Sequence, residues 1–284
     1  MTNRLLRIAA IGLFLSIPAF PALADDPAPA APASEAEAKI RVATQHITQC
    51  EATLTTGKPL DRIEKPLITY GDPVRQNDNG TLWAWGRTGR PKCFLELYQS
   101  DENRGFWIHA VSLTSTDLVE MRAPLSSRWT PKTPAFKPAP ITGPAVGDSE
   151  RVRLRQMKEI AGRLKAHEFW DPDNSRYELR LLIQPVHRYA DPAAGILDGT
   201  VFVFAHGTNP EILVLIEAAG PDPASATWKL AAARMGSAEL HLSLGDEEVW
   251  SAPRTPNVVG HPEDPYWLFL CRAEANPAPA PATP

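Results

Sequence analysis

The chain has 284 residues, with 33 acidic and 29 basic side chains, for a net charge of −4. That balance argues against nucleic acid or an anionic membrane surface as the main partner. Three cysteines, Cys50, Cys93 and Cys271, are too few and too odd a number for a disulfide framework; they read as buried thiols or as a single Cys50–Cys93 bridge.

Residues 1–24 read as a signal peptide. Arg4 and Arg7 precede an apolar run over 8–20, and Ala22-Leu23-Ala24 offers a small-residue cleavage site. This segment carries two arginines and no acid, so its removal takes the net charge from −4 to −6. No later stretch reaches the roughly 18 consecutive apolar residues of a spanning helix, so no transmembrane anchor is expected after cleavage. The expected location is periplasmic or extracellular, with an unknown envelope or extracellular partner. Residues 25–34 and 273–284 are rich in Ala and Pro and lack the bulky apolar side chains that a fold needs.

Two helices are expected. Ser34 with Glu37 forms a capping box, and Ile40, Ala43, Ile47, Cys50 and Leu54 recur at helical spacing until Gly57 and Pro59. Ser149 caps a second helix with Leu154, Met157, Ala161 and Leu164 inward; Arg151, Arg155, Lys158 and Lys165 form a solvated outer face. After each helix comes a run of strands, near 67–70, 81–86, 92–98, 106–113 and 118–121, then near 177–188, 200–205, 211–218, 228–234 and 239–244. Short Gly-bearing turns at 88–90 and 207–209 make these antiparallel hairpins. Alternation puts Trp83 and Trp85 on one face and Leu82 and Ala84 on the other.

The two runs match without gaps. Gly80, Thr81, Trp83, Trp85 and Pro91 fall on Gly199, Thr200, Phe202, Phe204 and Pro210; Cys93, Leu95 and Leu97 fall on Ile212, Val214 and Ile216. Outside the gapless stretch, Pro73-Val74 matches Pro185-Val186 upstream, and Trp107 matches Trp228 downstream after a two-residue length difference. The expected fold class is α+β: two repeated units, 35–123 and 149–272, each a helix packed on a curved antiparallel meander of four to five strands. That layout is similar to cystatin-like or NTF2-like units. Residues 124–148 contain six prolines and read as an extended linker, pinned at most by Trp129 and Phe136. Residues 266–271 read as further strand material of the second unit.

Leu154-Arg155-Gln156-Met157, Tyr177 to Leu182, Gln184 to Tyr189, and Leu197-Asp198-Gly199-Thr200 through Asn209-Pro210-Glu211 to Glu217 resemble a family of uncharacterised exported bacterial proteins. The likeness covers residues 150–250 and, more loosely, the first copy. It implies export and a shared fold, and it gives no residue a catalytic role.

His167-Glu168-Phe169-Trp170-Asp171 falls one residue short of a zinc-binding H-E-x-x-H helix, because Asp171 replaces the second histidine and Pro172 follows. It reads as a helix C-terminus. No metal, cofactor or nucleotide motif emerges. His109 stands where the second copy has Leu230, and Glu96 stands where it has Leu215. The first reading is a non-catalytic exported binding or scaffolding module. The alternative is a small-molecule hydrolase or isomerase with a pocket in the first unit, using His109 with Glu96 or Tyr70, and with Trp83 and Trp85 along the wall.

Overall fold

A computed structural model describes residues 35–72, 77–100, 106–134, 136–170, 173–257 and 259–272. The expected signal peptide, the Pro73-Val74 match and both Ala/Pro-rich ends lie outside these residues. The chain opens with α1 (Glu35–Ile47), followed by β1 (Glu51–Leu54), β2 (Ile68–Asp72), β3 (Asn77–Trp85), β4 (Cys93–Ser100), β5 (Phe106–Leu113), β6 (Val119–Arg122), β7 (Arg128–Trp129) and β8 (Ala139–Pro140). Then come α2 (Glu150–Gly162), β9 (Leu164–Trp170), β10 (Ser175–Asp191), β11 (Ile196–His206), β12 (Asn209–Ala219), β13 (Thr227–Arg234), β14 (Glu239–Leu244), β15 (Glu247–Ala252) and β16 (Tyr266–Arg272).

The α+β expectation is overturned. Strand takes 52% and helix 13%, with two α-helices and three antiparallel sheets among the described residues, so this is not a helix-on-sheet repeat and the cystatin-like or NTF2-like layout falls with it. The sheets run β1-β6-β7, β16-β5-β4-β3-β2, and β15-β14-β9-β10-β11-β12-β13-β8; the last curls into a half-barrel.

The physical reason is that both helices stop early. Past Ile47 the apolar spacing through Cys50, Ala52 and Leu54 also fits a period of two, and Glu51–Leu54 pairs with Val119–Arg122 as strand. Past Gly162, Leu164, Ala166 and Glu168 are buried in alternation, and β9 pairs with both β10 and β14. Ser149 does cap α2, its hydroxyl accepting from the Val152 amide. The inward face of α2 nevertheless includes Arg153, a buried cation held by Asp198 at 2.9 Å.

Long-range pairing also bears on two further expectations. Residues 266–272 do not join the second run; β16 pairs with β5, from Tyr266 opposite Ser112 to Arg272 opposite Phe106. Residues 124–148 are pinned at the two expected residues and beyond them. Trp129 and Phe136 are 1% and 2% exposed, the Trp129 indole donates to the Asp264 carbonyl, and β8 pairs with β13.

The two large sheets pack face to face. Leu82, Ala84 and Phe94 share one core with Val201, Val203, Leu213 and Leu215. On the far side of the five-stranded sheet, Trp83, Trp85, Leu95 and Leu97 pack with Ala43 and Ile47 of α1. On the far side of the half-barrel, Phe202, Phe204, Val214 and Ile216 pack with Met157 and Ile160 of α2. Period-two alternation therefore feeds two cores from every central strand. Matched residues also share one register: Trp83 faces Leu95 as Phe202 faces Val214, and Leu97 faces His109 as Ile216 faces Leu230.

Candidate functional site

The five residues singled out by sequence separate onto two faces of one sheet. Tyr70 and Glu96 meet between the sheets, where the Tyr70 hydroxyl bonds the Glu96 carboxylate and lies 2.9 Å from Asn209 Oδ1. The Asn209 amide donates to Glu211 at 2.7 Å. Glu96 and Glu211 are buried, and burial together with the Glu96 charge pushes the Tyr70 phenol well above its ordinary pKa. His109, Trp83 and Trp85 lie on the opposite face, beneath α1. Glu96 faces Ala110 and Leu97 faces His109 across the ladder, so strand alternation keeps His109 away from both Glu96 and Tyr70.

His109 is a core side chain. It is fully buried, stacks on Phe269 at 4.7 Å and places Nδ1 3.3 Å from the Trp107 carbonyl. Its Nε2 has no partner among the described residues. Burial pushes its pKa down to about 3, with the nearby His46 acting the same way. His109→Leu is therefore expected to stay within about 1 kcal/mol of wild type at pH 7.5, because apolar burial offsets the one lost hydrogen bond. The unfolded histidine binds a proton below its usual pKa and the folded one refuses it. Wild type should thus lose stability relative to the variant as pH falls from about 6.5 toward 3. Melting midpoints from pH 7.5 to 4.5 check this; parallel curves for the two proteins would refute it.

A second polar cluster closes the other end of the inter-sheet core. Arg90, at the tip of the β3–β4 hairpin, grips Glu217 through Nε and Nη2 at 2.6 and 2.7 Å, and the Tyr189 hydroxyl donates to the same carboxylate at 2.7 Å. The Arg90 amide donates to Asp191 at 3.2 Å. Arg90 occupies the position matched by Asn209, so each hairpin tip reaches across to the other sheet's tyrosine-bearing strand. These ties join the sheets, and both acids are spent on them.

A cleft of about 350 Å³ lies at one end of the two sheets. Its walls come from four separate stretches and include Ser112, Ala232, Arg234, Trp250, Arg254 and Tyr266. Arg234 ends β13 and is held in place: Nε donates to the Gly236 carbonyl at 2.8 Å, Nη1 to Pro253 at 2.8 Å and Nη2 to Ala238 at 2.6 Å. Its guanidinium carbon sits 5.2 Å from the centre of the Tyr266 ring. Burial lowers the Arg234 pKa, while Tyr266 and Glu211 act against that shift. Tyr266 is pushed well above its ordinary value by burial and then by Tyr98 and Glu96.

Sequence reasoning missed Arg234, Trp250, Arg254 and Tyr266. One signal was present: Arg234 stands where the first copy has Leu113, the same kind of departure that drew notice to His109.

The remaining motifs have structural places. His167 and Glu168 lie on β9, where His167 stacks on His241 at 4.7 Å and Glu168 bonds His206 at 2.5 Å, so the helix-end reading is corrected to strand. Cys50, Cys93 and Cys271 are buried and unbridged. Burial pushes the Cys50 and Cys271 thiols up to about 12 and about 11, the direction opposite to that of a reactive thiolate. Among the described residues no group of three or more His, Cys, Asp or Glu is placed to hold a metal, and no helix is long and apolar enough to cross a membrane. Comparison with family models, curated proteins and solved structures gives no match.

Proposed function

We propose that this is an exported, non-catalytic binding protein that holds a small molecule in the cleft at the end of its two sheets. The observation that carries the reading is the cleft itself, an apolar concavity with a few fixed polar groups at its wall. The separation of His109 from Glu96 and Tyr70 speaks against the hydrolase or isomerase reading, which needs them together. Export is supported by Arg4, Arg7, the apolar run over 8–20 and Ala22-Leu23-Ala24. An internal duplication is supported by the shared register of the matched strands.

The test uses N-phenyl-1-naphthylamine, a neutral fluorescent probe, against residues 25–284. Saturable binding is expected, and Ser251→Trp, an exposed change at the cleft rim, should weaken it at least about tenfold with an unchanged melting midpoint. Binding that fails to saturate, or that ignores the rim change, overturns the reading.

A further inference from the structure

We propose that the molecule this cleft accepts is an organic anion, its charged head on Arg234 and its apolar body along Trp250. This rests on the cleft being a binding site and adds the class of ligand.

The argument starts from the unusual position of Arg234. Residues 228 and 230–233 of β13 are buried, so the strand delivers a guanidinium to the end of an apolar run. Its three hydrogen-bond acceptors are all main-chain carbonyls, and none is a carboxylate. Carbonyl dipoles fix the group without cancelling its charge. Contrast Arg90 and Arg153, each of which bonds a buried carboxylate directly. A half-buried cation left this way is costly unless something negative completes it. Of the five N–H groups of a guanidinium, three are used here, which leaves one on each terminal nitrogen. Two donors on neighbouring nitrogens suit a head with two oxygens, such as a carboxylate or sulfonate.

The cleft lining carries two cations, Arg234 and Arg254, against one carboxylate, Asp264. The Asp264 Oδ2 accepts from the His261 amide at 3.0 Å and serves its own turn. Glu211 acts electrostatically on Arg234, its Oε2 lying against Gly236 and its Oε1 accepting from Asn209, but it makes no hydrogen bond to the guanidinium. Most of the remaining lining is apolar, with Leu113, Trp250, Ala232, Ala233 and three prolines, which suits a hydrocarbon or aromatic body better than a bare inorganic anion. About 350 Å³ lies near the lower bound, roughly 300 Å³, of pockets that take drug-sized ligands, so the body is short.

The experiment is isothermal titration of the same protein with octanoate and with octanamide, its neutral isostere. Octanoate is expected to bind at least about tenfold tighter, with the preference shrinking as salt rises. Arg234→Met should reduce the preference to less than about threefold. Arg254→Gln, a change at an exposed residue whose melting midpoint is measured alongside, should weaken octanoate more than octanamide. Should Arg234→Met fail to fold, the wild-type ratio, its salt dependence and Arg254→Gln still decide. Equal binding of octanoate and octanamide, while the naphthylamine probe saturates and is blocked by Ser251→Trp, overturns the anion and leaves the cleft. Failure of the naphthylamine probe and octanoate alike overturns the cleft reading itself.

Discussion

Glu217→Ala is expected to destabilise the protein by about 3–5 kcal/mol, the usual cost of breaking a buried ion pair from one side. The Glu217 side chain is 2% exposed, and it accepts two hydrogen bonds from Arg90 and one from Tyr189. Alanine leaves a guanidinium and a phenol facing each other between two sheets, with Phe136 beside the cation rather than a counter-charge. At roughly 2–4 °C per kcal/mol for a domain of this size, the melting midpoint should fall by roughly 6–20 °C. Removing both partners is a different matter: Arg90→Met with Glu217→Leu replaces the pair by apolar volume and should cost far less than Glu217→Ala alone. Arg87→Ala serves as the control, because the Arg87–Glu64 pair is 52% and 79% exposed and such pairs contribute little. A Glu217→Ala midpoint within 2 °C of wild type by differential scanning calorimetry would contradict the assignment of this pair as a tie between the sheets.

The central hairpins could be read in the sequence because their determinants are local. Gly89 and Gly207 both have positive φ at the turns, and the strands on either side alternate faces, so the pairing of Trp83 with Leu95 and of Phe202 with Val214 follows from turn position alone. Fold class was not legible, because it depends on what happens beyond the helices. Spacing from Ile47 to Leu54 satisfies both a helical and a strand period, and only the partner strand at Val119–Arg122 decides between them. The pairing of β16 with β5 joins residues far apart in the chain and leaves no mark in either segment. Prolines in 124–148 remove donors and suggest freedom, yet the segment is held by what it still offers: the Trp129 indole, the Thr130 and Lys132 amides on Pro262 and Glu263, and the Pro144 carbonyl under Trp228.

The site divides in the same way. Glu96 stood out against Leu215 of the second copy, and strand parity brings Tyr70, named as the alternative partner of His109, to the same face. The same parity rule, applied to Glu96 and His109, already separates them. The cleft was beyond reach because its walls meet only once β5, β13, β15 and the chain before β16 have assembled.

Gly80→Ala and Gly199→Ala are each expected to cost about 2–6 kcal/mol, and the reason explains why the two glycines match in sequence. Neither is at the hairpin tip. Each faces a tyrosine across the ladder, Tyr70 opposite Gly80 and Tyr189 opposite Gly199, and each tyrosine ring lies over the glycine. A Cβ at Gly80 would stand 2.2 Å from Tyr70 Cζ, and one at Gly199 would stand 2.6 Å from Tyr189 Cε2. Both contacts are far inside van der Waals separation, so the ring must move. It cannot do so freely, since the Tyr70 hydroxyl is tied to Glu96 and Asn209 and the Tyr189 hydroxyl to Glu217. Overpacking costs about 1–3 kcal/mol, and pulling a hydroxyl off a buried carboxylate adds about 1–3 kcal/mol. The mechanism predicts a specific non-additivity. Tyr70→Phe removes the anchor, which frees the ring to yield, so Gly80→Ala placed on Tyr70→Phe should cost less than Gly80→Ala on wild type by at least about 0.5 kcal/mol. Urea unfolding of the four proteins in this cycle measures the coupling. Strictly additive costs would mean that the ring is not held by its hydroxyl, and a neutral Gly80→Ala would mean that it does not lie over the glycine at all.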